Sequence, residues 1–378
     1  MSYPSPRFMA AVPRLARLLS EYSVGVRAGD KVVIRGSVES LPLVRELYRE
    51  ALERGAYPYV SLQDSVLTEI FYSYASEEQL SYISPITRIL YEEYDVHVSI
   101  LSSGHTRVLS GIPPEKPAIA RKARGPLLQK FLQEAAEGRK RWTIAPYPTL
   151  ALAQEAGMRP LEYEDFVYHA LKLHIDDPVE AWRVQSEKQK KLIESLLSKA
   201  DEIRLVHEET GTDLIVKVGG RTWISDDGHE NMPGGEVFTG PVEDATEGCI
   251  RFNMPQIYMG VEVEGVKLCF RNGKVVEYDA IRGRDFLEKM LGLDDGARIL
   301  GEYAFGLNYD ITRQTKEILF DEKIGGTIHM ALGNGYPETG SRNQSALHWD
   351  MIIDMRSPKA KVYIDGDLVY ENGKFHAW

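Results

Sequence analysis

The side chains best suited to chemistry lie in order along the second half of this 378-residue chain. Four segments set acidic or imidazole groups beside glycine in apolar surroundings. They are Asn231-Met-Pro-Gly-Gly-Glu236-Val-Phe, Gly301-Glu302-Tyr-Ala-Phe-Gly-Leu-Asn308, Asp321-Glu322-Lys-Ile-Gly-Gly-Thr-Ile-His329-Met-Ala-Leu-Gly-Asn-Gly-Tyr336 and Asn343-Gln-Ser-Ala-Leu-His348-Trp-Asp350. His348 and Asp350 stand two apart in a strand-like run, so both point to one face of a sheet. An imidazole nitrogen and a carboxylate oxygen on one face can converge on a single cation. In Thr327-Ile-His329-Met-Ala the same alternation leaves His329 among apolar neighbours. An unpartnered imidazole there is costly, and coordination would satisfy one nitrogen.

Taken singly, each residue stays open. A lone buried histidine is commonly a hydrogen-bonded core residue, and a Glu beside Gly is commonly a turn or cap. Together, two His, one Asp and three Glu make the inventory of a two-metal oxygen/nitrogen site, which needs about five or six protein ligands and a bridging carboxylate. Without thiolate ligands, a closed structural zinc site is disfavoured relative to catalytic zinc, cobalt or manganese.

Other signatures are absent. The sequence has no GxxxxGK[ST], no GxGxxG after the first strand pattern, no GxSxG and no HExxH, which disfavours P-loop, dinucleotide, serine-hydrolase and zincin chemistry. A formal charge of −11 argues against broad nucleic-acid or anionic-membrane binding. No apolar run approaches the roughly 18 residues needed to span a bilayer. The N-terminal stretch has arginines inside its apolar run and does not read as a signal peptide. Cys249 and Cys269 are too few for a disulfide framework or a four-thiolate zinc site, so a reducing cytoplasmic location is the default.

The elements that must position these residues differ between the halves. Residues 1–175 carry 21 basic and 20 acidic side chains, whereas residues 176–378 carry 24 and 36. The acidity therefore sits with the candidate ligands. The first half alternates helical and strand patterns: a helix over Pro13 to Val26, strands at Lys31–Gly36, Pro58–Leu62, Val96–Leu101 and Arg141–Ala145, and helices over Leu41–Arg54 and Lys116–Ala136. This predicts an N-terminal Rossmann-like βαβ domain with a mostly parallel sheet. The stretch Lys116 to Arg141 holds eight Lys or Arg and reads as the solvated face of a packed helix rather than an RNA site. After a polar helix from about Pro178 to Ala200, short alternating strands dominate. Asn272-Gly273, Asp365-Gly366 and Asn372-Gly373 mark tight hairpins. The fold class expected is α/β plus α+β, with domains over 1–175 and 176–378, the second largely antiparallel and metal-binding.

The four segments, in this order, resemble the M29 family of thermophilic metallo-aminopeptidases, the aminopeptidase T-like group. LARLLSEYSVGVRAGDKVVIRG, GTDLIVKVGGRTW and NMPGGEVFTGP add to the resemblance, which runs through nearly the whole chain. It implies that Glu236, Glu302, Glu322, His329, His348 and Asp350 hold two divalent ions (zinc, cobalt or manganese), with Tyr336 catalytic; a carboxylate not fully engaged with metal, for which Glu322 is the candidate, could serve as general base. It further implies a homodimer that removes N-terminal residues from short peptides through a metal-activated water. Glu322 fits a ligand position only if a two-residue insertion before His329 is accepted, and the link from Tyr336 to His348 is short. A mononuclear iron dioxygenase of dihydroxypyridine type on the same fold, and a non-catalytic metal-stabilised protein, are the alternatives.

Overall fold

Strand period and turn chemistry specify two kinds of sheet, and both are present in the computed structural model, which describes residues 3–376 and 378. The chain divides into two compact units, Met1–Trp182 with Gly228–Met232, and Arg183–Asp227 with Pro233–Trp378. The composition-based expectation put the division at 175/176 and did not foresee the return of 228–232 to the first unit. That return is made by backbone pairing, with Ile144 N donating to Glu230 O and Met232 N to Ile144 O.

The first unit holds strands β1 (Lys31–Ser37), β2 (Tyr57–Gln63), β3 (Val96–Leu101) and β4 (Arg141–Pro146). They form one parallel sheet in the order β2-β1-β3-β4. Each crossover carries helix, including Leu41–Glu53 after β1 and Glu115–Ala136 after β3, as parallel neighbours require. The long helix buries Ala120, Leu127 and Phe131, while Arg121, Lys122, Arg124 and Lys130 are exposed. Its basic residues are thus a solvated face, although Lys140 beyond its end is buried and donates to Glu92 O and Tyr94 O. The first helix starts at Pro6 rather than Pro13. Ser5 caps it by accepting from Phe8 N, and Pro6 occupies the first turn, where a missing N–H costs nothing. It continues as a π-helix over Leu18–Ser23.

The second unit contains β5 (Glu202–His207), β6 (Thr212–Lys217), β7 (Ile224–Asp226), β8 (Glu236–Thr239), β9 (Glu247–Arg251), β10 (Gln256–Tyr258), β11 (Val261–Val263), β12 (Lys267–Arg271), β13 (Lys274–Asp279), β14 (Leu300–Gly306), β15 (Thr327–Gly333), β16 (His348–Asp354), β17 (Ala360–Ile364), β18 (Asp367–Glu371) and β19 (Lys374–Phe375). An eight-stranded sheet runs β13-β12-β9-β6-β5-β17-β18-β19, and a five-stranded sheet runs β16-β15-β14-β8-β7. Pairing within both is antiparallel. One core joins them, with Leu205, Leu214 and Leu268 from the larger sheet among Phe305, Met330 and Trp349 from the smaller. The three hairpin signals all form turns. Asn272 and Gly273 (φ 48° and 75°) join β12 to β13, a left-handed pair that an Asn-Gly sequence adopts readily.

Cys249 on β9 and Cys269 on β12 are directly opposed and disulfide-bonded. Counting thiols excluded a framework but missed this single bridge, because it depends on the direct pairing register of β9 and β12. Among the described residues, no helix is long and apolar enough to cross a membrane.

Candidate metal centre

The five-stranded sheet has one apolar face and one polar face, and strand alternation assigns the residues to them. Tyr303 and Phe305 of β14, Ile328, Met330 and Leu332 of β15, and Trp349, Met351 and Ile353 of β16 belong to the core. Their alternates Glu302, His329, His348 and Asp350 therefore stand on the other face. Register then brings them together: Glu302 lies opposite Ala331, which lies opposite Asp350, and Ala304 lies opposite His329. At the far side Gly306 pairs with Glu236, and Glu236 with Asp226. Ala and Gly at the intervening positions leave room between the ligand-type side chains.

A bulge is needed to make this work on β14. Leu300 and Glu302 are two apart, yet Leu300 is in the core and Glu302 faces away from it. The register shifts between them, so the extra residue Gly301 re-aims Glu302. A Cβ at Gly301 would lie 2.4 Å from the carbonyl oxygens of Gly333 and Asn334, which reserves the position for glycine.

The two imidazoles are oriented by backbone. His329 Nδ1 lies 3.0 Å from Glu322 O, and His348 Nδ1 lies 2.8 Å from Asn334 O. Each carbonyl can only accept, so Nδ1 carries the proton and Nε2 points into the cluster, the arrangement that fixes a metal-binding tautomer. His329 Nε2 is 3.4 Å from Glu302 Oε1 and 3.5 Å from Glu236 Oε2. His348 Nε2 is 3.4 Å from Glu302 Oε2 and 3.6 Å from Asp350 Oδ1. Glu302 thus spans both histidines. Donor atoms of Glu236, Glu322 and His329, and separately those of Glu302, His329 and Asp350, lie within 4.8 Å of one another. The buried oxygens Glu236 Oε2 and Asp350 Oδ1 have no hydrogen-bond donor, although buried carboxylate oxygens are normally satisfied. Two unsatisfied carboxylate oxygens beside two imidazoles oriented with Nε2 inward fit divalent cations.

The field at this face is strongly negative. Burial alone would lower the pKa of His329, but its hydrogen bond to Glu302 and the charges of Glu236, Glu302 and Asp350 raise it to about 10. His348 likewise rises to about 10 through Asp350 and Glu302 despite burial. Burial opposes ionisation of Glu302 too, yet the bonds from His329 and His348 bring it down to about 2. Burial, reinforced by neighbouring acids, raises Glu236 and Glu322. Tyr336 is raised well above its ordinary value, first by burial and then by Glu302 and Asp350, so its hydroxyl remains a donor. That hydroxyl sits 3.5 Å from His348 Nε2.

All seven residues proposed from the sequence therefore meet on or beside one face. Two further charged groups escaped notice. Lys323 is fully buried and lies 3.3 Å from Asp226 Oδ2, 3.3 Å from Glu236 Oε1 and in direct contact with Glu322 Oε1. A lysine between an Asp-Glu pair and a Gly-Gly turn reads as a loop residue, so only its apolar surroundings hinted at burial. Asp226 was one of several acids in the half. The supporting layer was equally hidden. Gln189, on the helix Pro178–Ser195, donates to Ser225 Oγ at 2.9 Å, Asp226 O at 3.1 Å and Glu236 O at 2.8 Å. Asp321 accepts from Thr315 N, Thr315 Oγ1 and Lys316 N at 2.7–2.9 Å, anchoring the turn that presents Glu322.

The fold joins a parallel α/β unit to an antiparallel unit, and the latter carries a donor set that could hold divalent cations. A family model described as thermophilic metalloprotease (M29) matches residues 8–375, and the chain belongs to that family. Aminopeptidase 2 of Geobacillus stearothermophilus is 29% identical over 405 residues, covering 97% of this chain and 96% of that protein. Aminopeptidase T of Thermus thermophilus is 27% identical over 403 residues, covering 97% and 96%. The structure of wild-type AmpT from Thermus thermophilus superposes with a TM-score of 0.82 at 25% identity, covering 98% of this chain and all of that one. A 2,5-dihydroxypyridine dioxygenase from Pseudomonas putida shares the fold, with a TM-score of 0.61 at 14% identity over 98% and 97% of the two chains.

Proposed function

We propose that this chain is a metallo-aminopeptidase that cleaves the first peptide bond of short peptides at a two-metal centre. The observation that carries the reading is a pair of donor groups, Glu236, Glu322 and His329 on one side and His348 and Asp350 on the other, with Glu302 facing both histidines through its two oxygens. Names of the relatives point the same way. A mononuclear iron centre needs only two histidines and one carboxylate, a demand that His329, His348 and Asp350 would meet alone. Glu236 and Glu322 are surplus to it, which favours the peptidase over the dioxygenase.

Glu236, Glu302, Glu322, His329, His348 and Asp350 would hold the ions. When bound, divalent ions supply Lewis acidity and lower the pKa of water toward neutrality. The chain's own groups do the rest. Glu322 accepts the proton of the attacking water and passes it to the leaving amine. Tyr336 stays protonated and donates to the oxygen on which negative charge develops. A free α-amine could serve as a nitrogen donor at such a centre where an N-acylated end could not, which favours the first peptide bond over internal ones.

The discriminating experiment strips the protein with chelator, restores cobalt, zinc or manganese, and follows leucyl-p-nitroanilide and its N-acetylated form. Metal-restored cleavage of the free amine alone is expected. Oxygen consumption with 2,5-dihydroxypyridine and no amide cleavage would replace the reading with the dioxygenase, and metal-dependent melting with neither activity would leave a structural site.

A homodimer belongs to the same reading, whereas the Cys249–Cys269 disulfide removes the free-thiol ground on which a reducing cytoplasmic location rested. The helix Ser65–Tyr74 buries none of its residues, and Val66, Leu67 and Tyr74 are 58%, 66% and 83% exposed. A contiguous apolar face of this kind suits a second copy of the chain. Leu67→Glu is therefore expected to shift size-exclusion elution from a dimer to a 42.7 kDa monomer with little change in melting temperature. Wild-type protein that already elutes as a monomer would remove the dimer.

A further inference from the structure

Lys323 is a permanent cation inside the centre, and the proposed reaction has no task for it. Its ion pairs are with Asp226, Glu236 and Glu322. Two of these partners are the carboxylates that, with His329, form one of the two donor clusters. The other cluster, Glu302 with His329 and Asp350, shares no ion pair with the lysine. Backbone bonds hold the lysine in place: Asn308 N donates to Lys323 O at 3.0 Å, and Gly325 N to Asn308 O at 2.9 Å.

The charges constrain what it does. Five carboxylates (Asp226, Glu236, Glu302, Glu322 and Asp350) against one ammonium leave a deficit that two divalent ions with neutral imidazoles would cancel. The ammonium also engages one oxygen each of Glu236 and Glu322, and it places like charge beside any ion bound there. Like charges a few ångströms apart repel strongly even when the surrounding dielectric screens them.

We propose that Lys323 makes the two metal positions unequal: the Glu302–His348–Asp350 position binds tightly, and the Glu236–Glu322–His329 position holds an exchangeable ion. Lys323 is on this account a positioning residue, holding Asp226, Glu236 and Glu322 together in the metal-free protein and weakening the second ion. The assignment rests on the two-metal reading, and it is read from binding rather than turnover.

The experiment titrates cobalt into metal-free wild type, Lys323→Met, Lys323→Gln and Lys323→Arg by calorimetry, with bound metal counted after dialysis and melting followed with and without cobalt. Wild type should show two classes of site. In Lys323→Met the weaker class should tighten by roughly tenfold or more, with little change in the tight class. Its metal-free form should melt at lower temperature and gain more from cobalt than wild type does. Lys323→Arg should keep two separated classes. If Lys323→Met does not fold without metal, Lys323→Gln, which retains hydrogen bonding without charge, carries the same expectation. A weaker class that is unchanged or lost in the neutral variants would overturn the assignment. Should wild type bind one ion and the neutral variants two, the lysine's role stands and the two-metal reading fails. Two ions and peptide cleavage in wild type, with unaltered classes in the variants, fail the lysine alone.

Discussion

Glu302→Gln is expected to empty the centre of metal and remove metal-dependent cleavage while leaving the protein folded. Glu302 faces His329 Nε2 through one oxygen and His348 Nε2 through the other, both at 3.4 Å. Its alternates Tyr303 and Leu300 lie in the core, so the amide changes no packing. Removing one partner of a buried charge network also costs roughly 3–5 kcal/mol of folding stability, so a lowered melting temperature is expected beside the loss of metal. Bound metal per chain after dialysis and kcat/KM on leucyl-p-nitroanilide should fall together. A full metal complement with wild-type activity would take Glu302 out of the site.

Tyr336→Phe separates chemistry from metal binding. The ring packs against Phe238 and His348 at centroid separations of 5.3 and 5.2 Å, contacts that phenylalanine keeps. Only the hydroxyl near His348 Nε2 is lost. If that hydroxyl stabilises the developing oxyanion, kcat should drop by roughly 10²–10³, with KM, metal content and melting temperature nearly unchanged. An unaltered kcat would return Tyr336 to a packing role, and a loss of metal would make it a support for His348.

The parts of this molecule that were legible in the sequence are those governed by local rules. Val96–Leu101 is a short apolar run and forms a strand over those same residues. Asn-Gly and Asp-Gly pairs adopt the left-handed turn geometry that few other dipeptides tolerate. His348-Trp-Asp350 reads as two ligands on one face because strand period alone decides it. What stayed hidden depends on distant partners. The first helix begins at Pro6 because Ser5 caps it, while the apolar pattern pointed to Pro13. Cys249 and Cys269 meet only once β9 and β12 are in register. Lys323 and Asp226 join the site through pairing across β7, β8 and the turn after residue 321, which no spacing in the sequence encodes. In the polar helix Pro178–Ser195, no spacing marked Gln189, which is fully buried and donates to the backbone of Glu236.

The central claim is that the polar face of the five-stranded sheet is a two-ion centre for peptide-bond hydrolysis. It is tested most directly by adding cobalt or zinc in steps to chelator-stripped protein and measuring, in the same samples, ions bound per chain and the rate of leucyl-p-nitroanilide cleavage. The account predicts uptake of two ions per chain, with cleavage rising as the second binds. One iron per chain, oxygen uptake and no amide cleavage at any loading would contradict it.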